Sequence, residues 1–478
     1  MRTLFHVPPR VFSQQLDFAS REVVPPIGIA SMIGQIQEVF PEVGVLDAYA
    51  ERLSREETLR RIEAFRPDVL AVSAFTMMIH DAAAIAADAK ARIPGLKVIA
   101  GGPHPSKLPE QTLREFPSLD FVAVGEGEAL IVDFLTALRD GESTDGIGGL
   151  YTLRDGRVVT AGERPAIEDL DSLQFPEWRR FRLDNYNPVS RMPFRKVRQI
   201  PVSMNRGCPF SCIFCAKIMG DKVRKRSVAR VIEEIERVVL LHGAGQILFT
   251  DETFTIDREQ VLHLCESMIQ HGLHRRISWL CETRTDMVDG ELLRMMKRAG
   301  CFYIVFGGEA TTDDSLDYMR KGASREDLFR ALGLCKKHGL RTLTTYIIGF
   351  PYHDRRMIRE IAESAIKAGG DAALFPILTP LPGTEIARMA EAGDQGLILL
   401  TKDWRAYGKQ FGRAMETEKM NRRQLERAQL EAYFRFYLRP SKILGLLMLV
   451  DFGAALTFLK AGVLDWVSGL RGRSLPRR

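Results

Sequence analysis

Cys208, Cys212 and Cys215 stand in the run Asn205-Arg206-Gly207-Cys208-Pro209-Phe210-Ser211-Cys212-Ile213-Phe214-Cys215, with three residues between the first pair and two between the second. Three thiolates this close on one loop can hold three corners of a [4Fe–4S] cube and leave the fourth iron open to a non-protein ligand. An open iron is a place for chemistry. A closed four-cysteine cluster suits electron transfer and tetrahedral zinc wants four ligands, so the odd count points to catalysis. Gly207 and Pro209 mark the segment as a loop able to wrap a cluster. The bland alternative is a chance grouping of buried thiols, and a strand before and a helix after the loop argue against it.

The elements that must position this loop are spread over 478 residues, more than one hydrophobic core, so two or three domains are expected. Seven cysteines with three in one loop are not a disulfide framework. An oxygen-sensitive cluster needs reduced thiols, which makes the cytoplasm the expected location. Met1 to Val7 reads as a short strand running into Pro8-Pro9, with no secretory pattern evident. A net charge of +6 is mildly basic and interleaved with acids, a weak reason to expect nucleic acid, and none is expected as a partner. Cys265, Cys281, Cys301 and Cys335 are widely spaced and read as packing residues.

Residues 1–150 alternate apolar strands (Thr3–Val7, Val43–Leu46, Val69–Ser73, Lys97–Ala100, Phe121–Val124) with amphipathic stretches, the pattern of an open, doubly wound α/β domain. Its ligand should lie at the carboxyl ends of the strands. The loops there are Ser73-Ala74-Phe75-Thr76, Gly101-Gly102-Pro103-His104 and Gly125-Glu126-Gly127-Glu128, small enough for a large flat or branched ligand or else ordinary turns. Residues 151–195 read as a linker with a hairpin at Asp155-Gly156. Residues 196–400 resume the alternation with strands at Pro201–Met204, Gln246–Thr250, Ile277–Leu280, Phe302–Phe306, Thr342–Ile348 and Ala373–Leu378, a partial or full α/β barrel. Residues 401–478 read as a helical C-terminal region. There Ile443 to Val450 and the run to Leu459 are broken by Asp451 and Lys460, too soon for a membrane span. Core packing is the plain reading of that stretch, and an interfacial helix helped by Arg471 to Arg478 is the sharper one.

With this cysteine spacing and Phe214 before the last Cys, the chain resembles the radical S-adenosylmethionine (SAM) superfamily over about 200 residues. The resemblance implies that SAM chelates the open iron and is cleaved reductively to a 5′-deoxyadenosyl radical that removes hydrogen from carbon. Phe214 would then lie near the adenine. SAM is a zwitterion, so its pocket wants a carboxylate for the ammonium and an Arg for the carboxylate. Glu252, Arg284 and Glu309, in the strand-end motifs Asp251-Glu252-Thr253-Phe254, Glu282-Thr283-Arg284 and Gly307-Gly308-Glu309, are the candidates, with surface ion pairing as the alternative.

Placed before such a domain, the first domain is similar to the Rossmann-like cobalamin (B12)-binding domain of the B12-dependent radical SAM class. The resemblance implies cobalamin contacts at Ser73, Thr76, Gly101, Gly102, Gly125, Glu126 and Gly127. The D-x-H-x-x-G motif that supplies a lower cobalt ligand elsewhere is unmatched, its nearest site reading Asp47-Ala48-Tyr49-Ala50-Glu51-Arg52. Cobalamin would bind without a His ligand, or the fold would persist without the cofactor. The segment Lys222 to Ser227 and the ending Phe434 to Pro440 look most like the anaerobic magnesium-protoporphyrin monomethyl ester cyclase and hopanoid-type group. The class implies cobalamin-dependent C-methylation first, and oxidative cyclisation, dehydration or rearrangement second. It also implies a small-molecule substrate, hydrophobic or a natural-product intermediate, and an external one-electron reductant of flavodoxin or ferredoxin type. A non-catalytic corrinoid or cluster carrier is the remaining alternative. Tyr303, Tyr346, His104 and His353 are assigned no role.

Overall fold

A computed structural model describes residues 1–9, 23–186, 197–408 and 412–439. The expected interfacial segment at Ile443 to Leu459, the Arg-rich end and the linker up to Arg195 fall at least partly outside the described residues.

The first sheet contains β1 (Thr3–Val7), β2 (Val43–Asp47), β3 (Val69–Ser73), β4 (Lys97–Gly101), β5 (Phe121–Ala123), β6 (Leu150–Arg154) and β7 (Arg157–Thr160), in the order β2-β1-β3-β4-β5-β6-β7. β1 to β5 are mutually parallel. Their centres are continuous apolar runs such as Val69-Leu70-Ala71-Val72, all buried, because helices cover both faces. The hairpin expected in the linker does form at Asp155-Gly156. It does not stand apart: β6 pairs antiparallel with β5, so the first sheet continues past residue 150.

The second sheet runs β15-β14-β13-β12-β11-β8, all parallel: β8 (Arg198–Val202), β11 (Ala244–Phe249), β12 (Ser278–Arg284), β13 (Cys301–Glu309), β14 (Arg341–Tyr346) and β15 (Ala372–Leu374). Six strands in sequence order with no pairing between the first and last make an open, partial barrel. Between β8 and β11, the two-residue strands β9 (Asn205–Arg206) and β10 (Arg224–Lys225) pair antiparallel and pinch the cysteine loop at its base. The helix expected directly after the loop begins only at Val228. Its start is set by Ser227, whose side chain accepts from the Arg230 amide, and its end by Gly243 at φ +62°. A last antiparallel pair, β16 (Leu397–Leu399) and β17 (Met415–Thr417), precedes the helix Arg422–Tyr437.

One apolar core runs through both sheets, from Phe5, Ile29 and Phe134 to Phe249, Trp279, Phe306 and Phe375. A second lies under the first sheet's other face and takes in Trp404, Tyr407 and Ala414 from the C-terminal region. Cys265, Cys281, Cys301 and Cys335 sit in the first core, each fully buried. Among the described residues no helix is long and apolar enough to cross a membrane.

Candidate active site

The chain leaves β8 and is at once gripped by the end of β11. The buried Asp251 carboxylate accepts from the Met204 amide at 3.2 Å and from the Asn205 amide, and Glu252 accepts from the Gly207 amide at 3.2 Å. Burial pushes Asp251 up to about 7 and Glu252 above the usual carboxylate range, against the pull of these amides. Gly207 adopts φ +94°, and a Cβ there would lie 2.2 Å from the Lys222 carbonyl oxygen. Only glycine lets the two ends of the loop close. The Cys208 amide then donates to Gly220 O at 3.0 Å and the Cys215 amide to Cys212 O at 3.1 Å, turning the chain back on itself.

Ile213, between the last two cysteines, is buried among Ala310, Leu316, Met319, Phe350, Leu378 and Ile386, with Phe214 partly buried beside them. Its amide donates to Met319 O and its carbonyl accepts from Ile386 N, both at 3.2 Å. The loop is thus pinned at its base and at its centre. All three cysteines are free thiols, Cys208 and Cys212 half-buried and Cys215 exposed, and Cys208 Sγ lies 3.8 Å from Thr253 Oγ1. Among the described residues no three His, Cys, Asp or Glu side chains converge on a single point fit for one metal ion. Three thiols on the loop are one short of a closed tetrahedral zinc site, whereas each thiolate of a cube binds its own iron. The donor set therefore fits a three-cysteine cluster with one open corner.

Beside the loop lie the ends of β12 and β13. Arg284 and Glu309 are the last residues of these strands, which run longer than the sequence pattern suggested. Arg284 donates to Asp286 through Nε and Nη2, both at 2.9 Å, donates to Lys321 O, and stacks 3.6 Å from the centre of the Phe210 ring of the cysteine loop. Glu309 sits at φ +58°, a strained setting for a non-glycine residue. Its carboxylate accepts from Thr345 Oγ1 at 3.2 Å and meets Lys321 Nζ at 3.3 Å. A Cβ on Gly307 would lie 2.4 Å from Glu309 Oε1, so the bare backbone makes room for the pair. Burial pushes the Cys212 thiol up, while Lys321 and Arg284 pull it down and Glu309 and Cys215 oppose them. Cys212, Arg284 and Glu309 therefore share one electrostatic neighbourhood. Lys321 completes it and was not anticipated. Its sequence setting, a Lys before Gly322 after the short helix Asp313–Tyr318, looks like any surface turn.

At the first sheet, β3, β4 and β5 are neighbours, so their three loops line one edge. Gly102 at φ +100° would carry a Cβ 3.0 Å from Ala74 O and 3.3 Å from Ser73 Oγ, and Phe75 between Ser73 and Thr76 is 53% exposed. An exposed aromatic ring above a glycine-lined edge fits a flat macrocycle. His104 is fully buried against Trp404, ring centres 4.9 Å apart, with neither ring nitrogen hydrogen-bonded. Asp47, in the place of the unmatched motif, accepts from Tyr186 Oη at 2.9 Å and Ala50 N at 2.8 Å.

Two of the residues expected at cobalamin have other duties. Glu126 Oε1 accepts from Arg206 Nη1 at 2.6 Å, and its Oε2 accepts from Arg224 Nη1 at 2.6 Å and Ile167 N at 2.7 Å. Glu128 accepts from Arg206 Nη2 at 2.6 Å. The guanidinium groups hold Glu126 below the usual carboxylate range despite burial. A Cβ on Gly127 would lie 2.6 Å from Met32 Sδ, so that glycine serves helix packing. Glu252 likewise holds the Gly207 amide, a scaffolding contact in place of the expected direct one. The ion-pair network joins the edge of the first sheet to the residue two positions before Cys208, and Lys107 Nζ reaches Lys217 O at 3.4 Å across the same seam. These contacts tie the end of β5 to the loop that follows β8.

The model of the B12 binding domain matches residues 18–135 and that of the radical SAM superfamily residues 202–365. The chain is 33% identical over 422 residues to an uncharacterized methyltransferase of Pyrococcus horikoshii, covering 88% of this chain and 89% of the relative. It is 30% identical to the anaerobic magnesium-protoporphyrin IX monomethyl ester cyclase of Rubrivivax gelatinosus, covering 92% and 78%. Among solved structures, the radical SAM methyltransferase TsrM from Kitasatospora setae, with cobalamin and a [4Fe–4S] cluster bound, superposes with a TM-score of 0.71 at 18% identity, covering 92% and 90%. The chain belongs to the radical SAM enzymes that carry a B12-binding domain, with a [4Fe–4S] cluster, SAM and cobalamin as the family's cofactors.

Proposed function

We propose that this enzyme performs cobalamin-dependent C-methylation of a small, largely apolar biosynthetic intermediate. The observation that carries the reading is the fastening of the B12-binding edge to the cysteine loop through Glu126, Glu128, Arg206 and Arg224. Two cofactor sites built for separate purposes would have no need of that seam. In this reading residues 1–150 bind cobalamin, 151–195 link, 196–400 form the radical SAM barrel, and 401–478 form a helical C-terminal region whose described residues pack against both. When bound, the cluster, SAM and cobalamin supply a carbon radical and a methyl group.

The chain's own residues do the holding. Cys208, Cys212 and Cys215 would ligate three irons of the cluster. Arg284 and Lys321 would offer cations to the SAM carboxylate, and Glu309 an anion to its ammonium; Arg284 is paired with Asp286 and Lys321 with Glu309, so none of these buried charges stands bare. Phe214 flanks the adenine. Ser73, Thr76, Gly101, Gly102 and Gly125 line the corrin edge, and Ile213, Phe350 and Leu378 keep water from the far side of the loop. Electrons come from an external flavodoxin- or ferredoxin-type donor, in the reducing cytoplasm that free thiols require.

Incubating the anaerobically reconstituted protein with SAM and dithionite tests the reading. S-adenosylhomocysteine formed together with 5′-deoxyadenosine is the expected result. 5′-Deoxyadenosine alone favours oxidative cyclisation, the second reading, which the 30% identity to a cyclase keeps in view. Cys212→Ala should abolish both products with the fold largely kept, and any 5′-deoxyadenosine from that variant would overturn the cluster assignment.

A further inference from the structure

The turn that follows β11 touches the cysteine loop with three successive residues. Asp251 accepts from the Met204 and Asn205 amides, Glu252 accepts from the Gly207 amide, and Thr253 places Oγ1 3.8 Å from Cys208 Sγ. The first two hold backbone. Thr253 reaches a sulfur, from a position only 3% exposed, where water does not compete for its hydroxyl. The other two cysteines are set differently: Cys212 lies among the charged groups of Lys321, Arg284 and Glu309, and Cys215 is exposed.

A threonine hydroxyl has one proton to give and two lone pairs to accept with. With Cys208 a free thiol, that proton goes to the Glu252 carbonyl at 2.9 Å, and the Cys208 S–H is the group left to donate across the 3.8 Å contact. A cysteinate bound to iron has no proton. Any hydrogen bond across the same contact must then come from the Thr253 hydroxyl. A donor at a ligand sulfur draws off negative charge, so it favours the reduced cluster, which carries one more electron, over the oxidised one. We propose that Thr253 donates to the Cys208 thiolate of the loaded cluster and thereby raises its reduction potential. Thr253 acts through Cys208 and ligates nothing itself. The inference rests on the cluster assignment given above and is independent of whether methyl transfer or cyclisation follows.

Redox titration of the anaerobically reconstituted full-length protein, followed by electron paramagnetic resonance in the absence of SAM, tests it. Thr253→Val keeps the branched shape and removes the proton. It should lower the ratio of reduced to oxidised cluster at a fixed potential roughly tenfold, which for a one-electron couple is about 59 mV toward more negative values. Thr253→Ala, smaller and also without the proton, should shift the same way. In both variants the Fe–S(Cys) stretching bands in resonance Raman spectra should move to higher frequency, because a thiolate that accepts no hydrogen bond binds iron more strongly. Thr253→Ser keeps the hydroxyl, loses the methyl and should titrate like the wild type. A packing role alone predicts the reverse order, with the valine variant normal and the serine variant disturbed. An unshifted potential in the valine and alanine variants, or an equal shift in the serine variant, would overturn the proposal while leaving the cluster in place. A wild-type protein that takes up no iron would instead remove the cluster assignment, and this proposal with it.

Discussion

Lys321 and Glu309 meet at 3.3 Å with side chains only 7% and 10% exposed. Removing one partner of a buried pair strands the other, so Lys321→Met should cost about 3–5 kcal/mol in denaturant unfolding of the cluster-free protein. It should also weaken SAM binding, whereas Lys321→Arg should keep most of both. Protonation gives a second test at this scale. Burial lowers His6, His104 and His353 to about 4, so the native state refuses protons that the unfolded chain accepts below about 6.5. Stability contributed by each neutral imidazole is complete above pH 6.5 and is lost as pH falls toward 4. Asp47, raised to about 6, and Asp251, raised to about 7, act in the opposite sense over part of this range. The clean measurement is therefore a difference. His104→Leu, which breaks no hydrogen bond, should flatten the stability slope between pH 4 and 6.5 by roughly 1.4 kcal/mol per pH unit, read from urea midpoints. Cys208, Cys212 and Cys215 could be read from spacing because three sulfurs on one short loop have few other uses. Lys321 could not, since its partner lies twelve residues away and only the packed fold brings them together.

Among the elements, β1 to β5 and the six strands of the second sheet were visible as apolar runs because parallel strands are buried on both faces. The hairpin of β6 and β7 was equally visible as a hairpin. Its membership of the first sheet was not, because pairing with β5 is a tertiary choice that no local pattern encodes. Glu126 shows the same limit: its loop sits at the expected edge, but which way the carboxylate turns depends on Arg206 and Arg224, 80 and 98 residues downstream. Arg206→Met should leave Glu126 and Glu128 short of a cation and cost about 3–5 kcal/mol. Limited proteolysis in the stretch after Thr160 should quicken in that variant. A cycle of Arg206→Met with Glu128→Gln should show non-additive losses, as expected for groups sharing one network.

At the scale of the whole molecule, the C-terminal region is a clasp as well as a cap. Trp404 lies in the first domain's core, 6% exposed, and its Nε1 donates to Glu115 Oε2 at 2.7 Å while its ring covers His104. Trp404→Ala should lower stability by about 3–5 kcal/mol in thermal or urea unfolding. Unfolding of the first domain should then separate from that of the second, because one of the contacts bridging them has been cut. The order of the two domains was readable from composition and strand spacing. Their mutual orientation was not, because it rests on contacts between residues as distant as 115 and 404.

The loop pinned at Gly207 has a bearing on biogenesis. Its amides and its arginine are held by groups from residue 126 on one side and residue 252 on the other, so the nest for iron takes shape only after distant stretches of the polypeptide have docked. Iron delivery must then come late, onto a nearly finished protein, and a maturation factor would meet a folded surface instead of a nascent chain.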